Sequence, residues 1–134
     1  MMKKFIIDSD DFGVGKVTYN IDWENKIIKE LVIFADEKTF ENLSDDERGN
    51  WNWALYPPKL YFIEIPFELN SNKIIIPITD EILDDYDVAL YFMSHNDIEG
   101  EFSIDPNEVF MFTGYTYILN KRLSLEVEIN LKSY

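Results

Sequence analysis

The side chains whose spacing suggests chemistry are carboxylates crowded into one part of the chain. Between Ile74 and Asn120 the sequence contains no lysine or arginine. The same stretch carries ten carboxylates: Asp80, Glu81, Asp84, Asp85, Asp87, Asp97, Glu99, Glu101, Asp105 and Glu108. Carboxylates without a local counter-charge attract cations, and a patch of one sign steers an oppositely charged partner toward it. The pattern predicts that this segment forms a surface that binds a basic protein.

Aromatic side chains are the predicted anchors of that contact, because tyrosine and tryptophan are enriched among the residues that dominate binding energy. Tyr86 and Tyr91 lie inside the acidic stretch, and Trp51 and Trp53 stand two residues apart earlier in the chain. The predicted partner-binding set is Asp80, Glu81, Asp84, Asp85, Asp87, Asp97, Glu99, Glu101, Tyr86, Tyr91, Trp51 and Trp53.

The stretch from Gly49 to Phe67 has two interpretations. It contains Trp51 and Trp53, the Pro57-Pro58 pair and an apolar run, so it is expected to organise the core. Alternatively, the two tryptophans share one side of an extended segment and, with Tyr56 and Tyr61, form an exposed platform for a sugar ring or a protein partner. Core packing is the preferred interpretation.

The overall charge excludes some classes of partner. The chain has 26 acidic and 12 basic residues, for a net charge of −14. Such a surface repels phosphates and anionic lipid headgroups, so neither nucleic acid nor a membrane surface is an expected partner. The alternative meaning of the charge is that it only keeps the protein soluble and monomeric.

Patterns that would support metal binding or catalysis are incomplete. Asp8, Asp10 and Asp11 resemble the start of a calcium-binding loop, but Phe12 and Tyr19 occupy positions that need oxygen ligands. His95 is the only histidine, and the chain has no cysteine. The sequence therefore predicts no metal, no cofactor and no enzymatic activity. A carboxylate-based enzyme or a carbohydrate-binding module using the Trp51/Trp53 platform remains the alternative.

The elements that must position these residues are mostly strands. Apolar and polar residues alternate through Lys16–Trp23 and Leu123–Leu131, the period of a half-buried strand. About nine such segments, separated by turn residues, predict a single, mainly β domain of residues 1–134, an antiparallel β-sandwich or a curled barrel. One or two short helices are expected between Asp36 and Asn50, and a single helical turn or a tight crossover over Asp80–Asp85.

Several local expectations follow from individual residues. Ser44-Asp45-Asp46-Glu47 fits a helix-capping box with Ser44 at the N-cap. The strand Leu60–Leu69 is predicted to point a set of apolar residues into the core, namely Ile63, Ile65, Phe67 and Leu69. Asp87–Met93 is apolar on both sides and is expected to be a central strand. Gly114 is expected to mark a bulge or a bend in the strand Val109–Leu119.

The N-terminal sequence predicts a cytoplasmic protein. Two lysines and an apolar run open the chain, but the run stops at Asp8, well short of the apolar core of a signal peptide. The absence of cysteine fits a reducing compartment.

In size, acidity and aromatic content over its whole length, the chain resembles the small immunity proteins that neutralise bacterial toxins. The resemblance implies a non-enzymatic protein that blocks a basic partner. No family motif is matched residue by residue, so no site residue is carried over. A third interpretation is a subunit that completes its fold in an oligomer.

Overall fold

Runs of alternating apolar residues, joined by tight turns, give the chain a two-sheet architecture. A computed structural model describes residues 3–44 and 51–134. The seven-stranded sheet holds, in spatial order, β2 (Asp10–Asp11), β1 (Lys3–Ile7), β12 (Lys121–Asn130), β11 (Val109–Ile118), β10 (Ile98–Ile104), β7 (Lys73–Ile78) and β6 (Leu69–Asn70). The five-stranded sheet holds β3 (Val14–Asp22), β4 (Ile27–Ala35), β5 (Lys59–Pro66), β8 (Asp87–Tyr91) and β9 (His95–Asn96).

Every strand pair is antiparallel and both sheets are open, which confirms the predicted β-sandwich and not the curled barrel. Nine of the strands in the described ranges are five residues or longer, as the sequence pattern predicts. The others, β2, β6 and β9, are two residues long. Neither helix in these ranges is long and apolar enough to cross a membrane.

The core is a layer of aromatic and branched side chains between the two sheets. Phe62 on β5 meets Phe102 on β10 with ring centroids 4.7 Å apart, and meets Phe110 on β11 at 5.7 Å. All three rings are fully buried. Because each buried aromatic ring removes about 150–250 Å² from water, this contact across the sandwich is a main source of stability.

The first helix, α1 (Glu37–Ser44), begins directly after Asp36, which caps it. The carboxylate of Asp36 accepts hydrogen bonds from the backbone N–H of Thr39 (3.1 Å) and from its hydroxyl (2.7 Å), and these bonds lower the pKa of Asp36. Ser44 is the last residue of this helix, and the residues that it is predicted to cap lie beyond the described part of the chain. The rest of that capping box and any second helix before residue 51 lie outside the described residues.

The second helix, α2 (Asp80–Asp85), carries the chain from β7 of one sheet to β8 of the other and matches its predicted range. Its apolar residues Ile82 and Leu83 pack against the core. The helix ends where the backbone N–H of Tyr86 donates to the carbonyl of Ile82 at 2.9 Å. All of its carboxylates are therefore left on the solvent side.

The inward-facing set predicted for β5 is partly wrong. Glu64 has a φ of +54°, in the left-handed region that residues other than glycine and asparagine rarely adopt. Phe62 before it and Ile65 after it both face the core, so Ile63 lies on the outer side of the sheet. Leu69 is exposed. The sequence pattern had placed Ile63 and Leu69 in the core.

Gly114 does not form a bulge. β10 and β11 pair in unbroken register through the cross-strand pair Gly100 and Gly114. A Cβ atom at Gly114 would lie 2.0 Å from the carbonyl oxygen of Glu99 and 2.8 Å from the Cα of Gly100. Glycine is needed here because the two backbones approach more closely than a side chain allows.

β8 is an interior strand with a neighbour on each side, as its composition predicts, although one of these neighbours is very short. It pairs with β5 over five residues, but on its other side only Leu90 and Tyr91 pair with the short β9. Its outward apolar residues, Ala89 and Tyr91, belong to a second hydrophobic cluster on the outer side of the five-stranded sheet. This cluster explains why both sides of β8 are apolar.

Candidate protein-binding site

Five carboxylates lie together where α2 leads into β8, and we call this group the acidic surface. Its members are all exposed: Asp80, Glu81, Asp84, Asp85 and Asp87. Within the described ranges none of them forms an ion pair. Their negative charge is therefore open to a partner.

The end of α2 adds an unfavourable local feature. Asp84 and Asp85 lie in the last turn of the helix, which contains no basic residue. The carbonyl groups at a helix C-terminus carry partial negative charge, so a carboxylate there is destabilising where a lysine would be stabilising. The typical size of this effect is about 0.3–1 kcal/mol for each charge. Asp80 and Glu81, in the first turn, have the opposite and favourable relation to the helix.

A shallow depression of about 290 Å³, the aromatic pocket, adjoins the acidic surface on the outer side of the five-stranded sheet. Its lining residues are Val32, Lys59, Tyr61, Ile63, Asp87, Tyr91 and His95. Strand register explains the arrangement, because Tyr91 stands opposite Lys59 and Asp87 stands opposite Ile63. Asp87 thus belongs to both the acidic surface and the aromatic pocket.

Tyr61 is the central side chain of the pocket. It is buried, and its hydroxyl hydrogen-bonds Nδ1 of His95, whose ring stands edge-on at 5.8 Å. Burial, reinforced by the neighbouring Asp87 carboxylate, raises the pKa of Tyr61 to about 12. The phenol is therefore neutral at physiological pH, and it acts as a hydrogen-bonding group that fixes the pocket wall.

Lysine and aromatic side chains form the opposite end of the pocket. The ammonium of Lys59 lies 5.3 Å from the ring centroid of Tyr91 and 5.7 Å from that of Phe34. The ammonium of Lys16, on β3, lies 5.8 Å from the centroid of the same Phe34 ring on β4. Cation–π contacts of this kind hold the lysines over the rings. The outer side of this sheet consequently changes from negative at Asp87 to positive at Lys59.

The remaining predicted acidic residues lie on or beside β10, in the other sheet. Asp97 and Glu101 are exposed, but Glu99 is neutralised. Arg122 contacts the Glu99 carboxylate at 2.9 Å, and the Tyr117 hydroxyl donates to it at 2.7 Å. The hydrogen bond from Tyr117 makes the larger contribution, and the one from Arg122 the next, to a lowered pKa of Glu99. The expectation that this segment lacks a counter-charge is wrong for Glu99, because β12 brings Arg122 across β11.

The predicted aromatic anchors have different environments. Tyr91 lines the aromatic pocket, whereas Tyr86 is half-buried against the core. Trp51 is only 3% exposed and packs in the core, and Trp53 is half-buried against Phe92 with ring centroids 5.1 Å apart. The two tryptophans therefore do not form an exposed platform, and the preferred interpretation of them as core residues holds.

The carboxylates near the N-terminus have structural contacts. Asp10 accepts a hydrogen bond from Nε1 of Trp51 at 2.6 Å, and Asp11 accepts from the backbone N–H groups of Phe5 and Gly13 at 3.1 and 2.9 Å. Over residues 3–44 and 51–134, no three Asp, Glu or His side chains gather as a metal site would require. Metal independence stays a prediction, as does the absence of catalysis.

Sequence reasoning missed the pocket as a unit. On the sequence alone, Tyr61 is assigned only to the tryptophan platform, and His95 is given no neighbour in the fold. The available signal was the alternation of Lys59, Tyr61 and Ile63, which places them on one side of a strand.

No protein-family model, curated protein or solved structure matches the chain.

Proposed function

We propose that the protein binds a basic protein through the acidic surface, as an inhibitor or immunity protein does with its target. The observation that carries the proposal is the pair Asp84 and Asp85, which are exposed at the C-terminal end of α2 and form no ion pair with any residue that the structure describes. Carboxylates at this end lower the stability of the helix. Residues that break a local rule of stability are expected at functional sites.

Solubility alone does not account for this placement. A soluble surface can carry its carboxylates at any exposed position, including positions such as Asp80 where they stabilise a helix N-terminus. A binding surface instead needs its charges at one place. Five exposed carboxylates within eight consecutive residues, with no ion pair among the described residues, create such a local field, which raises the association rate of a basic partner.

The neighbouring aromatic pocket supports the same proposal. Rim charges mainly set the rate of association, whereas buried aromatic and apolar contacts slow dissociation. The acidic surface shares Asp87 with a pocket whose walls are Tyr61, Tyr91 and His95. The carboxylates that steer the partner thus lie beside the aromatic side chains that anchor it.

Exchanging both C-terminal carboxylates for lysine is expected to separate stability from binding. Asp84→Lys/Asp85→Lys should raise the free energy of unfolding by about 1 kcal/mol at low salt, because it replaces unfavourable helix-end charges by favourable ones. The same variant should lose the basic partner. Urea unfolding measures the first effect, and capture from lysate of the source cell at low ionic strength measures the second.

The matched control is Glu24→Lys/Glu41→Lys, which changes the net charge equally at exposed positions that do not belong to the acidic surface. Wild type and control should both retain the same basic protein, while the Asp84/Asp85 variant should not. Retention by both double variants, or recovery of only neutral and acidic proteins, would overturn the proposal.

A further inference from the structure

We infer that the exposed residues Leu55, Tyr56 and Met93 form an apolar contact for the same partner, whose docking segment carries basic side chains at one end and large apolar side chains at the other. This inference rests on the proposed function and extends it to the chemistry of the partner. We call these three residues the apolar tip.

The apolar tip is exposed although its surroundings are fixed. Leu55 is 73% exposed and Tyr56 is 66% exposed. On one side of them Ala54 is buried and its backbone N–H donates to Trp51; on the other, the carbonyl of the buried Pro58 accepts from Ala35 at 3.0 Å. Exposed apolar side chains held by anchored flanks lose little freedom on binding, which favours affinity.

Met93 is in an unfavourable conformation for its residue type. Its φ is +65°, which glycine and asparagine adopt more readily than a long apolar residue does. Its sulfur accepts a hydrogen bond from the backbone N–H of Leu55 at 3.3 Å, which joins the two loops. A flexible apolar side chain held in a strained turn and partly exposed is well suited to an adaptable contact.

The apolar tip and the acidic surface lie at opposite ends of strand β8. Asp87 and Tyr91 are the first and last residues of β8, and four residue steps of a strand span about 13 Å. Met93 follows two residues later. Lys59, over the Tyr91 ring, makes the tip end positive and the Asp87 end negative.

This polarity selects one partner chemistry and one orientation. Cationic side chains of the partner are attracted to Asp87 and α2, and Lys59 repels them from the tip end. The tip end therefore takes uncharged, apolar side chains of leucine or phenylalanine size. The docking segment should place its basic and apolar residues about 13 Å apart or slightly more.

A defined pair of peptides tests the inference. The first carries three lysines, four serines and two leucines in that order, and the second replaces the leucines by serines. NMR titration should show both peptides shifting the amides of α2 and Asp87. Only the leucine peptide should also shift the methyl groups of Leu55 and Met93, and it should bind about tenfold more tightly.

Variants complete the test. Leu55→Ser/Tyr56→Ser should reduce the affinity of the leucine peptide to that of the serine peptide. The control Leu69→Ser, at a leucine of β6 that is 43% exposed, should not. Equal affinities with no movement of the Leu55 and Met93 methyls would overturn the apolar tip and leave the acidic surface standing. No response of α2 to either peptide would overturn both proposals.

Discussion

Replacing Trp51 by alanine is expected to lower the free energy of unfolding by about 3–5 kcal/mol, a large share of the total for a domain of this size. The ring lies 5.3 Å from that of Phe12 and 5.7 Å from that of Phe92. Its Nε1 donates to the carboxylate of Asp10 at 2.6 Å. The substitution leaves a cavity and also removes the donor from a partly buried carboxylate. Urea unfolding measures the loss.

Two further substitutions serve as controls for Trp51. Trp51→Phe keeps most of the ring packing and loses the hydrogen bond, so it should cost about 1–3 kcal/mol. Trp23 is 39% exposed and contacts Phe67 at 5.7 Å, so Trp23→Ala should cost less than Trp51→Ala. An unfolding midpoint of Trp51→Ala equal to that of wild type would contradict the structural role of this stretch.

Replacing Gly114 by alanine is expected to destabilise the seven-stranded sheet by about 3 kcal/mol or more. The added Cβ would meet backbone atoms of Glu99 and Gly100 at 2.0 and 2.8 Å, and backbone cannot move aside as a flexible side chain can. β10 and β11 must therefore separate locally and weaken their hydrogen bonds. Thermal unfolding measures the effect as a lowered Tm.

The control for Gly114 is its neighbour Thr113, which is exposed on the same strand. Thr113→Ala removes a surface side chain and should change stability by no more than about 0.5 kcal/mol. If Gly114→Ala were as stable as Thr113→Ala, the close approach of Gly100 and Gly114 would be wrong.

Elements governed by local pattern were predictable from the sequence. The alternation along β12 predicts its buried Leu125, Val127 and Ile129, because a strand exposes alternate residues to the same side. The short helix Asp80–Asp85 was also predicted with its bounds. In both cases the deciding information lies within a few neighbouring residues.

Features that depend on pairing between distant segments were not predictable. Arg122 neutralises Glu99 from 23 residues away, across an intervening strand. Tyr61 and His95 are 34 residues apart. The alternation of inward and outward residues along β5 shifts at Glu64 because its φ is positive. The sequence does not predict this conformation, since glutamate seldom adopts a positive φ.

The candidate site was likewise predictable only where its residues are close together in the sequence. The carboxylates of the acidic surface stand close together in the sequence, so their charge was visible from composition. The aromatic pocket joins β5, β8 and β9, and the apolar tip joins two loops through Leu55 and Met93. These neighbours meet only in the folded chain.

The most direct measurement of the central claim is the association rate of the captured basic protein as a function of ionic strength. We expect the wild-type rate to fall steeply as salt is added, because the acidic surface steers the partner and salt screens that attraction. Asp84→Lys/Asp85→Lys should associate about tenfold or more slowly at low salt, with a flatter dependence, while Glu24→Lys/Glu41→Lys should stay close to wild type. A wild-type rate independent of salt, or equal losses in the two double variants, would contradict the account.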